Sequence, residues 1–342
     1  PFSAYYVTPA KAGTQLNIVN RTFPKFSFRH GQSNLVPTLA KDKKWYNTIT
    51  WNYGLSFNNK DRDYYESVYI DSSNSFGWMD STGKLVTQNE QNSGWVHTSS
   101  INAPQKVFKY ISVNPSMNLK SVWVDESFDG DWNDSTHSFT KFEKQGFAAR
   151  TTGSFSMNTN TQIYGLFPIP FGPVRAVRHV MSPSIGYSWT PDFSKPLFGK
   201  DLGYVITETD STGKEYYHDK FAGTMAGNTP RSERKSMSFS LNNVFQAKVK
   251  KGDEEKKVDL LSWRMSSSYN FAADSMNLSN LRSTVRSKIA GKLNLDLNMT
   301  HDFYKYDTSG NKRIAEYNKN ENGFFDPRLT SARLSTGFRF SG

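Results

Sequence analysis

The sequence of 342 residues contains no cysteine, which excludes disulfides, zinc sites with thiolate ligands and cysteine nucleophiles. It also lacks any apolar run that approaches the roughly 18 residues needed for a membrane-spanning helix. Hydrophobic residues make up only 36% of the chain, and the mean hydropathy is −0.66. This low hydropathy is compatible with a membrane β-barrel, because about half of the residues of each barrel strand face a polar interior.

The sequence also lacks recognisable motifs for catalysis and metal binding. Gly-X-Ser-X-Gly does not occur, and the six histidines show no metal-ligand spacing. Residues 129–134 have the acidic spacing of a calcium loop, but the glycine and terminal glutamate of an EF-hand are missing. We therefore expect no enzymatic activity, no metal and no cofactor. The histidines are His30, His97, His137, His179, His218 and His301.

The charge balance is basic, with 42 Lys and Arg against 31 Asp and Glu and a net charge of +11. An excess of this kind attracts anionic partners. The basic residues are scattered over strand-like and loop-like segments and form no nucleic-acid-binding motif, so nucleic acid is not an expected partner. An anionic lipid or polysaccharide fits the same excess.

Alternation of apolar and polar residues dominates the chain. Over residues 288–303, Leu, Ile, Met, Phe and one Gly recur at every second position apart from His301, with polar residues between them, which predicts one β-strand with two unlike faces. The segment exceeds the about ten residues with which a tilted strand crosses a bilayer. Alternation also marks residues 45–57, 146–160 and 175–190. The spacing of such segments predicts about ten to thirteen strands in an all-β meander without helices.

Turn signals divide these segments. Asp-Ser-Thr-Gly occurs at 80–83 and 210–213, and Asp-Thr-Ser-Gly occurs at 307–310. Such sequences favour hairpin turns, because Gly accepts the left-handed backbone conformation. We predict that all three lie at the tips of long hairpins.

Several boundaries follow from composition and proline. Residues 58–93 and 125–145 are polar and predict loops, and residues 191–233 predict a long insertion with its own hairpin. A strand is expected to end near Pro115. Pro24 cannot donate a ladder hydrogen bond, so it is expected at a strand start, an edge or a weakened seam.

The composition of the two strand faces favours a membrane barrel over a soluble sheet. The polar faces carry mostly Ser, Thr, Asn and Gly with scattered Arg, which suits a wet interior. The apolar faces carry aliphatic residues centrally and aromatic residues towards the strand ends. The sequence thus predicts an all-β fold, a large antiparallel transmembrane β-barrel or part of one, with long extracellular hairpins. A soluble glycan-binding β-protein is another reading. The candidates for an aromatic girdle are Trp51, Trp123, Trp189, Trp263, Tyr269 and Phe303.

Short motifs along the chain resemble the barrel region of the LptD family, the lipopolysaccharide-assembly proteins of the outer membrane. The likeness is greatest to its Bacteroidetes and Chlorobi branch and spans nearly the whole chain in the family's order. RHVMSPSIGYSWTPDF at 178–193 is the most specific of these motifs. The others are FPKFSF at 23–28, GWVH at 94–97 with KVFKY at 106–110, NPS at 114–116, and SYNFAADS at 268–275.

The resemblance implies that residues 1–342 form a portion of a single outer-membrane β-barrel domain of a Gram-negative bacterium. It implies insertion of lipopolysaccharide into the outer leaflet through a polar lumen and a lateral opening, with a proline-weakened seam between the first and last strands. The implied partners are lipopolysaccharide, a plug lipoprotein of the LptE type, periplasmic delivery proteins of the Lpt bridge and outer-membrane lipid. No separate jellyroll domain is visible. The start PFSAYY, without Met or a signal peptide, suggests a mature or excised segment.

Inward-facing cations could guide the anionic headgroup of such a lipid. We expect them to act collectively as a weakly cationic track; the alternative is that they only solvate the interior or pair with Asp296 and Asp302. A different outer-membrane porin or transporter is the rival function. By strand parity, the lumen-facing candidates are Arg150, Arg264, Lys288, Lys292, Arg333 and Arg339.

Overall fold

The structure is a computed structural model, and it describes residues 15–38, 44–66, 68–69, 76–77, 87–168, 174–251, 254–289, 293–310 and 312–338. These residues form nineteen strands and one 3-10 turn at Trp45–Thr48, and they contain no α-helix. None of the described helical segments has the length and apolar character needed to cross a membrane. The prediction of an all-β chain is confirmed.

The strands follow one another as β1 (Gln15–Asn34), β2 (Thr50–Glu66), β3 (Val68–Tyr69), β4 (Phe76–Gly77), β5 (Thr87–Asn102), β6 (Gln105–Val107), β7 (Ile111–Asn133), β8 (Ser138–Asn160), β9 (Ile163–Phe167) and β10 (Val174–Thr190). They continue as β11 (Val205–Thr209), β12 (Glu215–Asp219), β13 (Arg234–Lys251), β14 (Glu254–Asn270), β15 (Leu281–Ile289), β16 (Leu293–Asp302), β17 (Tyr304–Tyr306), β18 (Arg313–Tyr317) and β19 (Arg328–Phe338).

One antiparallel sheet of thirteen strands contains most of the fold. Its continuous path runs β1-β2-β5-β7-β8-β10-β13-β14-β15-β16-β19, with β6 paired to β7 and β9 paired to β10. The path has eleven strands that alternate in direction, so β1 and β19 run the same way and cannot pair with each other antiparallel. The sheet is open among the described residues, as expected for part of a barrel. The chain was predicted to have about ten to thirteen strands; this sheet has thirteen, and six further short strands bring the number in the described residues to nineteen.

The connections differ in length between the two ends of this sheet. At one end the strands are joined by residues 35–49, 108–110, 168–173, 252–253 and 290–292. At the other end the connections are residues 67–86, 134–137, 191–233, 271–280 and 303–327. We call the second end the long-loop end. The long hairpins predicted from the sequence therefore lie mostly at one end of the sheet.

The register sorts the side chains into an apolar face and a polar face. Directly opposed residues of an antiparallel pair point to the same side of a sheet. Trp95 lies opposite Trp123, and Leu297 lies opposite Leu334. Side chains on the apolar face are exposed in the sheet: Ile185 is 46% exposed and Leu334 is 64% exposed. An exposed apolar surface of this extent is typical of a membrane-facing or partner-facing surface rather than a soluble exterior.

The prediction of a single strand over residues 288–303 is wrong. The structure divides this segment into the end of β15 and the whole of β16, and Ile289 lies directly opposite Leu293. Because these two residues are an even number of positions apart, alternation continues unbroken from one strand to the next. Residues 290–292, which join the two strands, lie outside the described residues.

Two predicted polar loops are partly strand. The segment 125–145 was expected to be a loop, but β7 and β8 stay paired from Glu126 opposite Gln145 to Asn133 opposite Ser138. Residues 58–93 likewise include the end of β2 and the start of β5. A polar composition did not mark a loop here, because strands that extend beyond a bilayer have water on both faces. The alternating strand predicted over 45–57 begins only at Thr50, after the 3-10 turn.

Pro115 does not end a strand, contrary to the prediction. The residue lies inside β7 opposite Met157 of β8, without a register shift. On its other side, the carbonyl of Pro115 accepts a hydrogen bond from the Ala103 N–H at 2.9 Å, in the break between β5 and β6. The nitrogen of Pro115 points to the same side as its carbonyl and away from β8, so the missing N–H removes no ladder bond to β8. Pro24 lies in the edge strand β1, as predicted, at a register shift between Thr22 and Lys25.

Two of the three predicted hairpin turns are confirmed, but they join short strands of three to five residues rather than the long hairpins that were predicted. Gly213 joins β11 to β12 with a φ of +83°, and Gly310 joins β17 to β18 with a φ of +73°. These are left-handed conformations, in which Gly carries no Cβ penalty. The copy at 80–83 lies outside the described residues.

A matched pair of arginine substitutions tests the assignment of the two faces. Leu241 is on the apolar face of β13 opposite Met265, and Ser240 is on the polar face opposite Ser266. We expect Leu241→Arg to reduce the stability of the protein in lipid vesicles by about 2–4 kcal/mol, because a cation would enter hydrocarbon. Ser240→Arg should change stability little.

Reversible denaturant unfolding from vesicles measures both values. Equal, small effects of the two substitutions, within about 0.5 kcal/mol as for ordinary surface sites, would show that the apolar face meets water or protein rather than lipid.

Candidate functional site

The polar face is a continuous surface of hydroxyl and amide groups. Neighbouring strands are linked across it by side-chain hydrogen bonds: Ser116 and Ser156 are 2.6 Å apart at their hydroxyl oxygens, and Ser188 and Ser236 are 2.8 Å apart. Small neutral groups of this kind bind water and sugars without a fixed charge. The face can therefore accommodate a hydrated, polar ligand along several strands.

Arginines without partners lie on the half of this face formed by β14 to β19. Arg264 opposes Thr284, Thr284 opposes Asn298, and Asn298 opposes Arg333, which places both arginines in one row. Arg282 lies on the same face, opposite Ser266 and Thr300. All three arginines are exposed, and none forms an ion pair or hydrogen bond with another residue of the described ranges. We call Arg264, Arg282 and Arg333 the open arginines.

Other cations of this region differ in their surroundings. The Nε of Arg286 is 2.7 Å from an Asp296 carboxylate oxygen, so its charge is compensated. Lys288 is exposed and lies opposite Asn294. Lys292 and Arg339, two of the predicted lumen-facing residues, lie outside the described residues.

Arg150 is on the polar face but is not open to solvent. Its side chain is buried, and Nη1 donates to the carbonyl of Gly227 at 2.6 Å and to the Thr229 hydroxyl at 3.1 Å. Nη2 donates to the carbonyl of Ala226. The guanidinium thus fastens residues 226–229 to β8, because both of its Nη groups donate to the insert.

Residues 191–233, here called the insert, cover the polar face of β5, β7 and β8. Phe221 and Ala226 of the insert pack on Val122 and Val124 of β7 in a buried cluster. The N–H of Phe128 donates to the carbonyl of Lys220 at 2.8 Å. This is the part of the polar face where the strands carry apolar side chains instead of Ser and Thr. The predicted insertion with its own hairpin, β11–β12, is confirmed.

The outer hairpin of the insert is held by aromatic and acidic groups. Tyr216 packs on Trp132 with ring centroids 5.0 Å apart and stacks on His137 at 5.9 Å. Asp210 lies 3.9 Å from His137 and is almost fully buried. The Thr212 hydroxyl and the N–H groups of Thr212 and Lys214 donate to Asp210 and lower its pKa to about 2. The carboxylate therefore stays ionised and fixes the turn.

The predicted girdle aromatics occupy different settings. Trp51 stacks on His30, with ring centroids 4.7 Å apart, at the end of the sheet opposite the long-loop end. Trp123 is 41% exposed on the apolar face. The Trp189 indole donates to Glu233 at 2.8 Å, and the Trp263 indole donates to Ser283 at 2.7 Å.

The last two aromatics lie near the long-loop end. Tyr269 packs on Phe271 with ring centroids 4.8 Å apart. Phe303 is buried and packs edge-on against Phe325, 5.6 Å away, in the 303–327 connection. Its surroundings are protein, so a contact with lipid would require another arrangement of that connection. The girdle as a whole remains a prediction.

The polar-face cations that sequence reasoning missed include Lys120, Arg282 and Arg286. The alternation of Leu281, Ser283, Val285 and Ser287 would have placed both arginines on the polar face, but this short strand went unrecognised. Lys120 was missed because the predicted strand break at Pro115 obscured the parity of β7. Within the described ranges, no group of three or more His, Cys, Asp or Glu side chains could hold a metal ion.

Replacement of Arg150 tests its role as an anchor of the insert. We expect Arg150→Met to keep the sheet folded but to loosen residues 191–233, because hydrogen bonds from a charged donor contribute about 1.5–3 kcal/mol each. Limited proteolysis in detergent should then cut the insert at least about ten-fold faster. Arg234→Met is the control, since the exposed Arg234 makes no described side-chain contact. Equal cleavage of both variants would remove the anchoring role.

Comparison with protein families links this architecture to known proteins. Residues 3–304 match the family model described as LptD protein, whereas no protein in the curated set matches the chain. The match agrees with the family resemblance of the sequence motifs; the Bacteroidetes branch stays a prediction. The family acts in lipopolysaccharide transport and assembly at the outer membrane and is not an enzyme family. Because the match covers most of its length, the chain belongs to the LptD protein family.

Proposed function

We propose that this protein is a translocon component that inserts lipopolysaccharide into the outer leaflet of the outer membrane, through a polar lumen and a lateral opening. Family membership supports the coarser role in lipopolysaccharide transport and assembly. The observation that carries the finer proposal is the separation of the two sheet faces. An amphiphile with a charged sugar headgroup and acyl chains needs a polar surface and an apolar surface at the same place.

The open arginines supply the electrostatic part of this proposal. Phosphate groups of a lipopolysaccharide headgroup are attracted by guanidinium groups, which also bind phosphate in a bidentate manner. Arg264 and Arg333 lie in one row, and neither is compensated by a carboxylate in the described part of the chain. Their exposure and the surrounding hydroxyls favour weak, exchangeable contacts, which a transport route requires.

The orientation follows from the connection lengths. Bacterial outer-membrane barrels have short periplasmic turns and longer extracellular loops. The long-loop end of this sheet would then face outward, and the insert would cover the outer part of the lumen. In this orientation β1, with Pro24 at its register shift, is an edge at which a lateral opening could form.

The partners proposed for this route are a plug lipoprotein of the LptE type and periplasmic delivery proteins of the Lpt bridge. The outer membrane of a Gram-negative bacterium is the proposed location. Co-purification of a lipoprotein with the protein extracted from membranes tests the plug; its absence under conditions that retain the folded barrel would count against an assembly translocon.

A porin or other transporter is the second candidate. One observation favours it: the insert lies on the polar face, as a constriction loop of a porin would. A porin should conduct ions in planar bilayers without a bound lipoprotein, which distinguishes the two candidates.

Charge reversal of the open arginines tests the proposed route. We expect the triple variant Arg264→Glu, Arg282→Glu and Arg333→Glu to reduce the rate at which lipopolysaccharide reaches the cell surface by about ten-fold or more, because each change replaces attraction with repulsion of phosphate. Surface labelling of newly made lipopolysaccharide measures this rate.

The matched control carries Lys195→Glu, Lys200→Glu and Lys319→Glu. These lysines are exposed in the insert and in the 303–327 connection, so the variant has the same net charge but intact open arginines. Normal export with the arginine variant, at normal protein level, would exclude the cationic track. An equal defect in both variants would assign the effect to net charge alone.

A further inference from the structure

A cavity of about 460 Å³ lies on the polar face beside the insert, away from the open arginines. Its walls are mostly polar residues of β2, β5, β7 and β8, together with Leu119 and Gly153, and its rim is formed by Thr190 of β10 and by Phe193 and Pro230 of the insert. The Phe193 N–H donates to the Pro230 carbonyl at 2.9 Å; Phe193 is buried, whereas Pro230 is exposed. The rim is thus a fixed part of the fold, and the cavity has the volume of a small-ligand site.

Lys120 is the only charged residue among the residues that line this cavity. It lies on β7 between Thr98 of β5 and Thr152 of β8. Its ammonium makes no ion pair or hydrogen bond with the described side chains, and the lining contains no carboxylate. An ammonium without a counter-ion next to neutral polar groups is a binding position for one anionic group.

Neutral hydrogen-bonding groups surround Lys120. Asn118 lies directly opposite Ser154, and no side-chain hydrogen bond joins either of them to the residues described. By contrast, Asn52 and Ser100 are paired with each other at 2.5 Å. Asn118 and Ser154 therefore offer free donors and acceptors next to the cation. One cation with adjacent amide and hydroxyl groups matches a sugar that carries one phosphate.

We propose that the Lys120 cavity binds a phosphorylated sugar of the lipopolysaccharide headgroup, with Lys120 contacting the phosphate and Asn118 and Ser154 contacting sugar hydroxyls. This assignment rests on the proposed function for the identity of the ligand. It adds a defined contact point to the route, on the half of the polar face that the insert borders. Arg150 cannot serve there, because its donors already bind the insert.

Binding of a soluble headgroup tests the assignment on the whole chain in detergent. The probe is the deacylated, phosphorylated core oligosaccharide, compared with the same saccharide after phosphatase treatment and with inorganic phosphate. We expect Lys120→Gln to weaken binding of the phosphorylated saccharide by about ten-fold or more, as for loss of a charge-assisted hydrogen bond, and to leave the dephosphorylated saccharide unaffected. Lys120→Arg should restore most of the affinity.

Lys144→Gln is the matched control, since Lys144 is an exposed lysine of β8 outside the cavity lining. Equal affinities for Lys120→Gln, Lys144→Gln and the unaltered protein would overturn the assignment. Competition by inorganic phosphate at the same concentration as the saccharide would overturn the assignment of Asn118 and Ser154 to sugar hydroxyls. Depletion of the protein in cells tests the proposed function separately. Unchanged surface lipopolysaccharide would reject the proposed function, whereas the saccharide-binding results of the Lys120 variants bear only on the cavity.

Discussion

Backbone hydrogen bonding constrains this fold more than any single side chain does. Water is absent from the hydrocarbon core of a membrane, so each peptide N–H and C=O that crosses it needs a protein partner. A long antiparallel sheet satisfies this need strand by strand, and it leaves side chains as the only contacts with the surroundings. The two faces of the sheet then meet different solvents. Alternation along each strand is the consequence, and the choice of Ser and Thr or Leu and Trp follows from it.

The insert shows where this rule is modified. Val122 and Val124 of β7 point to the polar face, which elsewhere carries hydroxyl groups, because Phe221 and Ala226 of the insert cover them. Alternation fails at this place for a physical reason: both faces of the strand are shielded from water. Such a failure in a barrel sequence therefore indicates a segment that folds onto the polar face.

Sequence patterns predicted the class of fold and the existence of the sheet, because period 2 is a direct consequence of strand geometry. They did not predict strand ends. Alternation passes through the connection between Ile289 and Leu293 without a change of parity, so one strand could not be distinguished from two. At Pro115 the error was the opposite one, because a strand end was predicted where the strand continues. The missing N–H of Pro115 faces the break between β5 and β6 rather than β8, so the pairing of β7 with β8 continues through the proline.

Candidate site residues were harder to predict, because parity gives the direction of a side chain but not its partners. Arg150, Arg264 and Arg286 all lie on the polar face. The guanidinium of Arg150 binds the insert, that of Arg286 pairs with Asp296, and that of Arg264 is open. These three outcomes depend on contacts that are distant in sequence.

The insert divides the polar face into a covered part and an accessible part. The insert is fixed to β7 and β8, whereas the open arginines lie on β14, β15 and β19. Transport of a large headgroup requires surfaces that bind weakly and release, and compensated cations cannot provide this, because their donors are already occupied. A route along the open arginines needs no displacement of the insert. The Lys120 cavity lies beside the insert, and in the sheet β10 and β13 lie between β8, on the cavity side, and β14, which carries Arg264.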